Sequence, residues 1–290
     1  MNPWILAARP KTLFASAGPV LLGTAIAFYT TKSLSALAFI TTLLCAVLMQ
    51  VMSNLVNDYY DGIRGLDDEK RLGPTRVTST GLLTPEKVKK GFLLVAIVAF
   101  ILGLYLMYIG GLPIIIIGLL SLFFAWAYTG GPFPLSHFAL GEVAAFTFFG
   151  PVAVWGTTFL QTGSSSKLAL IAGSGVGLIS ATIMAINNLR DRKSDSEKGK
   201  ITVATLLSEK GARAFTLTLC LLSTFIPFIV MNETHSSYVL VALIPFYLMG
   251  KTWIHVARAP IDERMNMMLA NTGKYLFLYS VAMGIGLYFS

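Results

Sequence analysis

The chain has 290 residues, 55% of them hydrophobic and only 12% charged, with a formal net charge of +8 and a mean hydropathy of +0.70. These values exclude a soluble two-domain protein and place the sequence among polytopic membrane proteins. The positive balance does not imply nucleic acid, because its distribution along the chain is topological.

Nine apolar segments reach the roughly 20 residues that a helix needs to cross a bilayer. They fall at 12–30, 34–56, 92–109, 112–129, 138–160, 168–189, 212–231, 236–256 and 273–289. The expected fold is all-α, a polytopic bundle of nine transmembrane helices forming a single membrane domain over residues 1–290. Arg9 and Lys11 before the first apolar run imitate a signal peptide, but the run is long and eight more follow, so it reads as the first membrane helix. Gly18-Pro19, Gly150-Pro151, Pro227 and Pro245 fall inside spans, where small residues and tolerated kinks serve helix packing. Cys45 and Cys220 both lie within spans and read as packing residues.

Two long polar loops interrupt this pattern, at 58–91 and 190–213, each after an even-numbered helix. With the N-terminus placed in the cytoplasm, twenty of the 22 Lys and Arg residues fall on that side, and only Lys32 and Lys167 lie opposite. The positive-inside rule therefore makes the N-terminus and both loops cytoplasmic. Such a face also attracts anionic headgroups and diphosphates.

Each loop opens with an acidic cluster. The first holds Asn54, Asn57, Asp58 and Asp61, and the second Asn187, Asn188, Asp191 and Asp195. Asp58 and Asp61 are three residues apart and Asp191 and Asp195 four apart, so on a helix each pair shares a face. Asn54 precedes Asp58 by four residues as Asn187 precedes Asp191, which reads as a short half-repeat. Neighbouring carboxylates at a membrane interface repel and desolvate poorly, and a shared divalent cation relieves both costs. Oxygen ligands without Cys or His favour Mg²⁺, which completes its shell with water and phosphate oxygens. The implied ligand is a phosphorylated substrate.

Basic residues accompany both clusters: Arg71 and Arg76 the first, Lys198 and Lys200 the second. They supply donors for diphosphate oxygens and for charge that develops as diphosphate departs. Tyr59, Tyr60, Trp126 and Tyr128 lie near the same face, and the rings of Tyr60 and Tyr128 are the better candidates to stabilise a carbocation. Glu142, at the edge of a span, is the remaining acidic candidate there. His137, His235 and His255 lack metal-ligand spacing and read as interfacial residues.

At these residues the chain resembles the UbiA superfamily of intramembrane prenyltransferases, whose two Asp-rich motifs follow the second and sixth of nine helices. Within it the chain is similar to the branch of menaquinone synthesis that takes 1,4-dihydroxy-2-naphthoate as acceptor. That similarity is carried by Arg9 to Leu13, Asn57 to Asp61, Arg71 to Arg76, Tyr128 to Pro132, Gly141-Glu142, Phe149 to Val154 and Asn187 to Asp191. The broad pattern has an Asp four residues after Asp61, where this chain has Gly65; Asp67, two residues on, is the position used in the naphthoate branch.

The resemblance implies Mg²⁺ held on a polyprenyl diphosphate by Asp58, Asp61, Asp67, Asp191 and Asp195, with Asn54 and Asn187 assisting. It implies that Lys11, Arg71, Arg76 and Lys200 hold the diphosphate oxygens, with Asn57, Asn188 and Glu142 also in contact with substrate. The allylic cation would form near Tyr60 and Tyr128, and the naphthoate would lose its carboxylate. The implied setting is the lipid bilayer of a plasma membrane, the bacterial inner membrane, with the active site cytoplasmic. A prenyltransferase with a hydroxybenzoate, homogentisate or lipid acceptor is the near alternative. A transporter is the distant one, because the carboxylates cluster at one rim rather than at mid-span.

Overall fold

The computed structural model describes residues 2–65 and 72–290. The expected positions Asp67 and Arg71 lie outside the described residues. In lipid every backbone polar group must be satisfied within its own segment, and the chain answers with helix almost throughout. A short α1, Pro3–Ala8, precedes α2, Pro10–Thr31, and α3, Ala36–Ile63. Then follow α4 (Pro85–Ala127), α5 (Gly141–Thr147), α6 (Ala153–Thr162), α7 (Lys167–Glu197) and α8 (Val203–Leu206). The chain ends with α9 (Glu209–Ser223), α10 (Ile226–Thr234), α11 (Ile244–Leu248), α12 (Gly250–Arg258) and α13 (Met265–Tyr288).

The long helices start where the sequence supplies a cap. The side chains of Ser35, Thr84, Ser166 and Ser208 each accept the backbone N–H three residues on, opening α3, α4, α7 and α9. Such a cap contributes about 1 kcal/mol.

Helix coincides with each of the nine expected segments apart from their ends. Six helices among the described residues are long and apolar enough to cross a membrane, or seven if the bent pair Ser237–Leu248 and Gly250–Arg258 is one span. The expected segments 92–109 and 112–129 are two helices that meet within the 43-residue α4 at a kink, Gly111 with φ 61° and ψ −153°. Only glycine adopts that conformation readily. The last segment lies in α13, whose first half carries Asn266, Asn271, Thr272 and Lys274 and so falls short in hydropathy.

The core forms where α2, α7 and α13 meet, with Leu22, Ile26, Val176, Ile179, Tyr275 and Tyr279 fully buried in one cluster. Between α5 and α6 a π-helical turn, Phe148–Val152, carries Gly150-Pro151. Gly150 presses on α7 so closely that a Cβ there would stand 2.5 Å from the Cα of Gly177 and 2.7 Å from the carbonyl of Gly173. Small residues at such crossings let membrane helices meet backbone to backbone. Against this block α3 and α4 pack as a pair through Leu55, Val56, Val88 and Phe92. Cys45 and Cys220 are both buried free thiols.

Candidate active site

A cavity of about 1040 Å³ opens among α2, α3, α4, α5, α6, α7 and α13. Its wall is apolar over most of its extent and polar where the C-terminal ends of α3 and α7 come together. Lys11, Asn54, Asn57, Asp61, Arg76, Tyr128, Asn187, Asp191, Asp195 and Lys200 all line it. Helix spacing explains the grouping: Asn57 and Asp61 are four residues apart on α3, and Asn187, Asp191 and Asp195 follow at intervals of four on α7. The pair that matches Asn187 and Asp191 is therefore Asn57 and Asp61, three residues beyond the expected Asn54 and Asp58.

Each acidic group at the mouth carries a cation. Arg76 Nη2 lies 3.1 Å from Asp61, and Lys200 Nζ lies 3.3 Å from Asp195. Arg190 donates to both oxygens of Asp191, at 2.7 and 2.5 Å, and to Asn187 at 2.9 Å. Lys200 owes its place to the loop beyond α7: the next residue, Ile201, accepts the Ala139 N–H at 3.0 Å, pinning this loop to the one before α5.

Four expected site residues lie outside the cavity wall. Asp58 is fully buried, and its two carboxylate oxygens accept the backbone N–H groups of Val77 at 3.2 Å and Thr78 at 3.1 Å. It anchors the loop after α3, and of the two aspartates only Asp61 lines the cavity. Tyr60 accepts the Trp126 indole N–H at 3.2 Å, and Arg64 covers its ring at 5.1 Å. The ring is thus engaged by Arg64 and stands off the cavity wall. Asn188 donates to Glu142 at 2.9 Å, and both are buried behind the wall, joining α5 to α7. Asn54 does reach the wall, yet its amide donates to the Ala8 carbonyl and the Thr12 hydroxyl, at 2.9 and 3.0 Å. It ties α3 to the start of α2.

Tyr128 lines the cavity with its hydroxyl donating to the Met184 sulfur at 3.0 Å. The turn that follows is held by Arg64, which donates to the carbonyls of Thr129 and Gly131, each at 2.6 Å. Burial first, then Lys200 and Arg64, hold His137 below the usual imidazole range, so this neighbour adds no positive charge near neutral pH.

Sequence reasoning missed Arg190 and Asn266. Arg190 falls inside the Asn187 to Asp191 motif without a role of its own there, although an arginine beside an aspartate at the end of an apolar helix is itself a signal. Asn266 sits in no motif.

Among the described residues no three of His, Cys, Asp and Glu form a metal cluster. The donors stand instead as two oxygen-bearing groups on one cavity, Asn57 with Asp61 and Asp191 with Asp195. That set fits a hard divalent cation that takes the rest of its shell from water and a phosphorylated ligand.

Known proteins share this plan. The chain is 30% identical over 295 residues to the 1,4-dihydroxy-2-naphthoate octaprenyltransferase of Escherichia coli (strain K12), covering 99% of this chain and 95% of that one. It is 32% identical over 291 residues to the enzyme of the same name from Mycobacterium tuberculosis, covering 99% and 97%. In three dimensions it resembles a UbiA homolog from Archaeoglobus fulgidus bound to GPP and Mg²⁺, with a TM-score of 0.66 at 14% identity over 99% of this chain and 100% of that one. The fold is thus that of an integral membrane protein. Residues 16–281 match the model of the UbiA prenyltransferase family, and the chain belongs to that family.

Proposed function

We propose that the protein transfers a polyprenyl group from polyprenyl diphosphate to 1,4-dihydroxy-2-naphthoate, with loss of the acceptor's carboxylate, in the synthesis of menaquinone. The observation that carries this reading is a single cavity with an apolar body and a mouth where two acidic helix ends and their basic partners converge. The choice of acceptor is supported by near-full-length relatives whose names specify it.

Substrate physics suits that shape. A polyprenyl tail gains about 0.8 kcal/mol per buried CH₂ and stays in the bilayer, while its diphosphate stays at the polar boundary. Lys11, Arg76 and Lys200 bind the diphosphate oxygens and orient the allylic C–O bond. Asn57, Asp61, Asn187, Asp191 and Asp195 would hold Mg²⁺, with Asp67 and Arg71 in supporting roles. Bound there, Mg²⁺ supplies positive charge that stabilises diphosphate as a leaving group.

The C–O bond breaks with its electron pair moving to diphosphate, and the allylic carbon becomes cationic beside the Tyr128 ring. An electron-rich ring carbon of the naphthoate then attacks, carbon dioxide is lost, and a prenylated naphthoquinol results. The apolar wall excludes water, which would otherwise capture the cation. The bias of Lys and Arg supports a cytoplasmic mouth, in a protein of the plasma membrane, the bacterial inner membrane.

The test is a panel of acceptors given to purified protein with Mg²⁺ and a polyprenyl diphosphate. Release of diphosphate and carbon dioxide with 1,4-dihydroxy-2-naphthoate is expected. Turnover with 4-hydroxybenzoate and none with the naphthoate overturns the acceptor assignment.

A further inference from the structure

Asn266 joins the loop after α3 to the acidic group of α7 although it belongs to neither. It stands at the start of α13 and lines the cavity. Its side-chain amide donates to the backbone carbonyl of Leu72, on the loop that follows α3, at 2.7 Å. Its side-chain oxygen accepts from Arg190 Nη1, also at 2.7 Å. Arg190 is itself buried and spends its remaining donors on Asp191 and Asn187. An unbroken chain of hydrogen bonds thus runs from the first polar loop, through α13, to the carboxylate of Asp191.

The chemistry of the amide makes this position exacting. The link needs one donor, for a carbonyl, and one acceptor, for a guanidinium, on the same short side chain. Asn supplies both; Asp supplies only the acceptor and Ala neither.

We infer that Asn266 is a positioning residue for the diphosphate and its cations: it sets the acidic group of α7 in register with that of α3, so that one diphosphate spans both. This rests on the proposed donor chemistry and adds to it a residue on a third helix. A substrate that must be gripped from two helix ends is sensitive to their separation, because small misplacements in oriented sites are costly. Asn266 fixes that separation through two short hydrogen bonds.

The experiment measures Mn²⁺ binding to the full-length, detergent-solubilised protein by loss of the free Mn²⁺ electron paramagnetic resonance signal, with inorganic diphosphate present and no turnover. Asn266→Ala and Asn266→Asp are compared with wild type, and thermal unfolding without metal reports on folding. Both variants are expected to bind Mn²⁺ with diphosphate about tenfold more weakly, the equivalent of roughly one lost hydrogen bond. In turnover, KM for the prenyl diphosphate should rise while KM for the acceptor stays the same. Wild-type binding by both variants overturns the role of Asn266. Wild-type binding by Asn266→Asp alone overturns the link to Leu72, since that variant keeps its acceptor for Arg190. A wild-type protein that binds no Mn²⁺ with diphosphate instead counts against the donor chemistry of the proposed function.

Discussion

The carboxylate of Asp58 accepts the backbone N–H of Thr78 at 3.1 Å, closing the loop after α3 back onto its own helix. Its neighbour one turn on, Asp61, faces the cavity and pairs with Arg76. The two aspartates therefore separate by experiment. Asp58→Asn should lower the thermal unfolding midpoint, by an amount equivalent to about 1–3 kcal/mol for weakened buried hydrogen bonds, and leave the Mg²⁺ concentration for half-maximal activity unchanged. Asp61→Asn should raise that Mg²⁺ requirement and cut kcat/KM by about 100-fold or more, in line with the loss of an electrostatic catalytic group. A raised Mg²⁺ requirement in Asp58→Asn would contradict the loop assignment.

Removing the guanidinium from Asp191 should expose the cost of a buried carboxylate. Arg190→Gln is expected to destabilise the protein by about 3–5 kcal/mol, the range for breaking a buried ion pair from one side. Mg²⁺ with inorganic diphosphate should recover part of this loss. Calorimetry with and without these ions checks both parts, and an unfolding midpoint insensitive to them in the variant counts against Asp191 as a ligand.

Asn188→Leu probes the wall behind the cavity. Glu142 loses its side-chain donor while remaining buried, and about 1–3 kcal/mol of stability should go with it. KM for the prenyl diphosphate should hold steady, because neither residue lines the cavity. Chemical denaturation and steady-state kinetics on the same preparation test the two halves of this expectation.

Much of this site was legible in the sequence, and the exceptions have physical causes. Residues spaced by four on an apolar helix must share a face, so Asn187, Asp191 and Asp195 could be placed together from spacing alone. Asp58 and Asp61 were harder to separate, since three residues on a helix differ by only about 60° in direction. What divides them is the pair of amides at Val77 and Thr78, supplied by a loop whose path no helical period encodes. Glu142 and Asn188 were each noticed, but their pairing is a contact 46 residues apart. Asn266 carried no signal, because its role depends on a carbonyl 194 residues away. The boundary between the two segments within α4 was legible, because Gly110 and Gly111 stand where the helix kinks.

Gly150→Ala tests the helix crossing. The new methyl would meet the backbone of Gly173 and Gly177, which cannot swing aside as a flexible side chain could. A loss of about 1–3 kcal/mol is expected from such overpacking, read as a lower unfolding midpoint in detergent. Unchanged stability would show that the crossing is looser than its geometry indicates.

That crossing also divides the molecule by what it can change. Main chain resting on main chain holds α7, and with it the acidic end at Asp191 and Asp195, against a surface with no slack. Phe100, Leu106 and Met107 of α4 and Met49 of α3 also line the cavity, with side chains that can be exchanged one at a time. New product lengths are therefore best sought by substitution on α3 and α4, where the bundle can be re-tailored without disturbing the step that releases diphosphate.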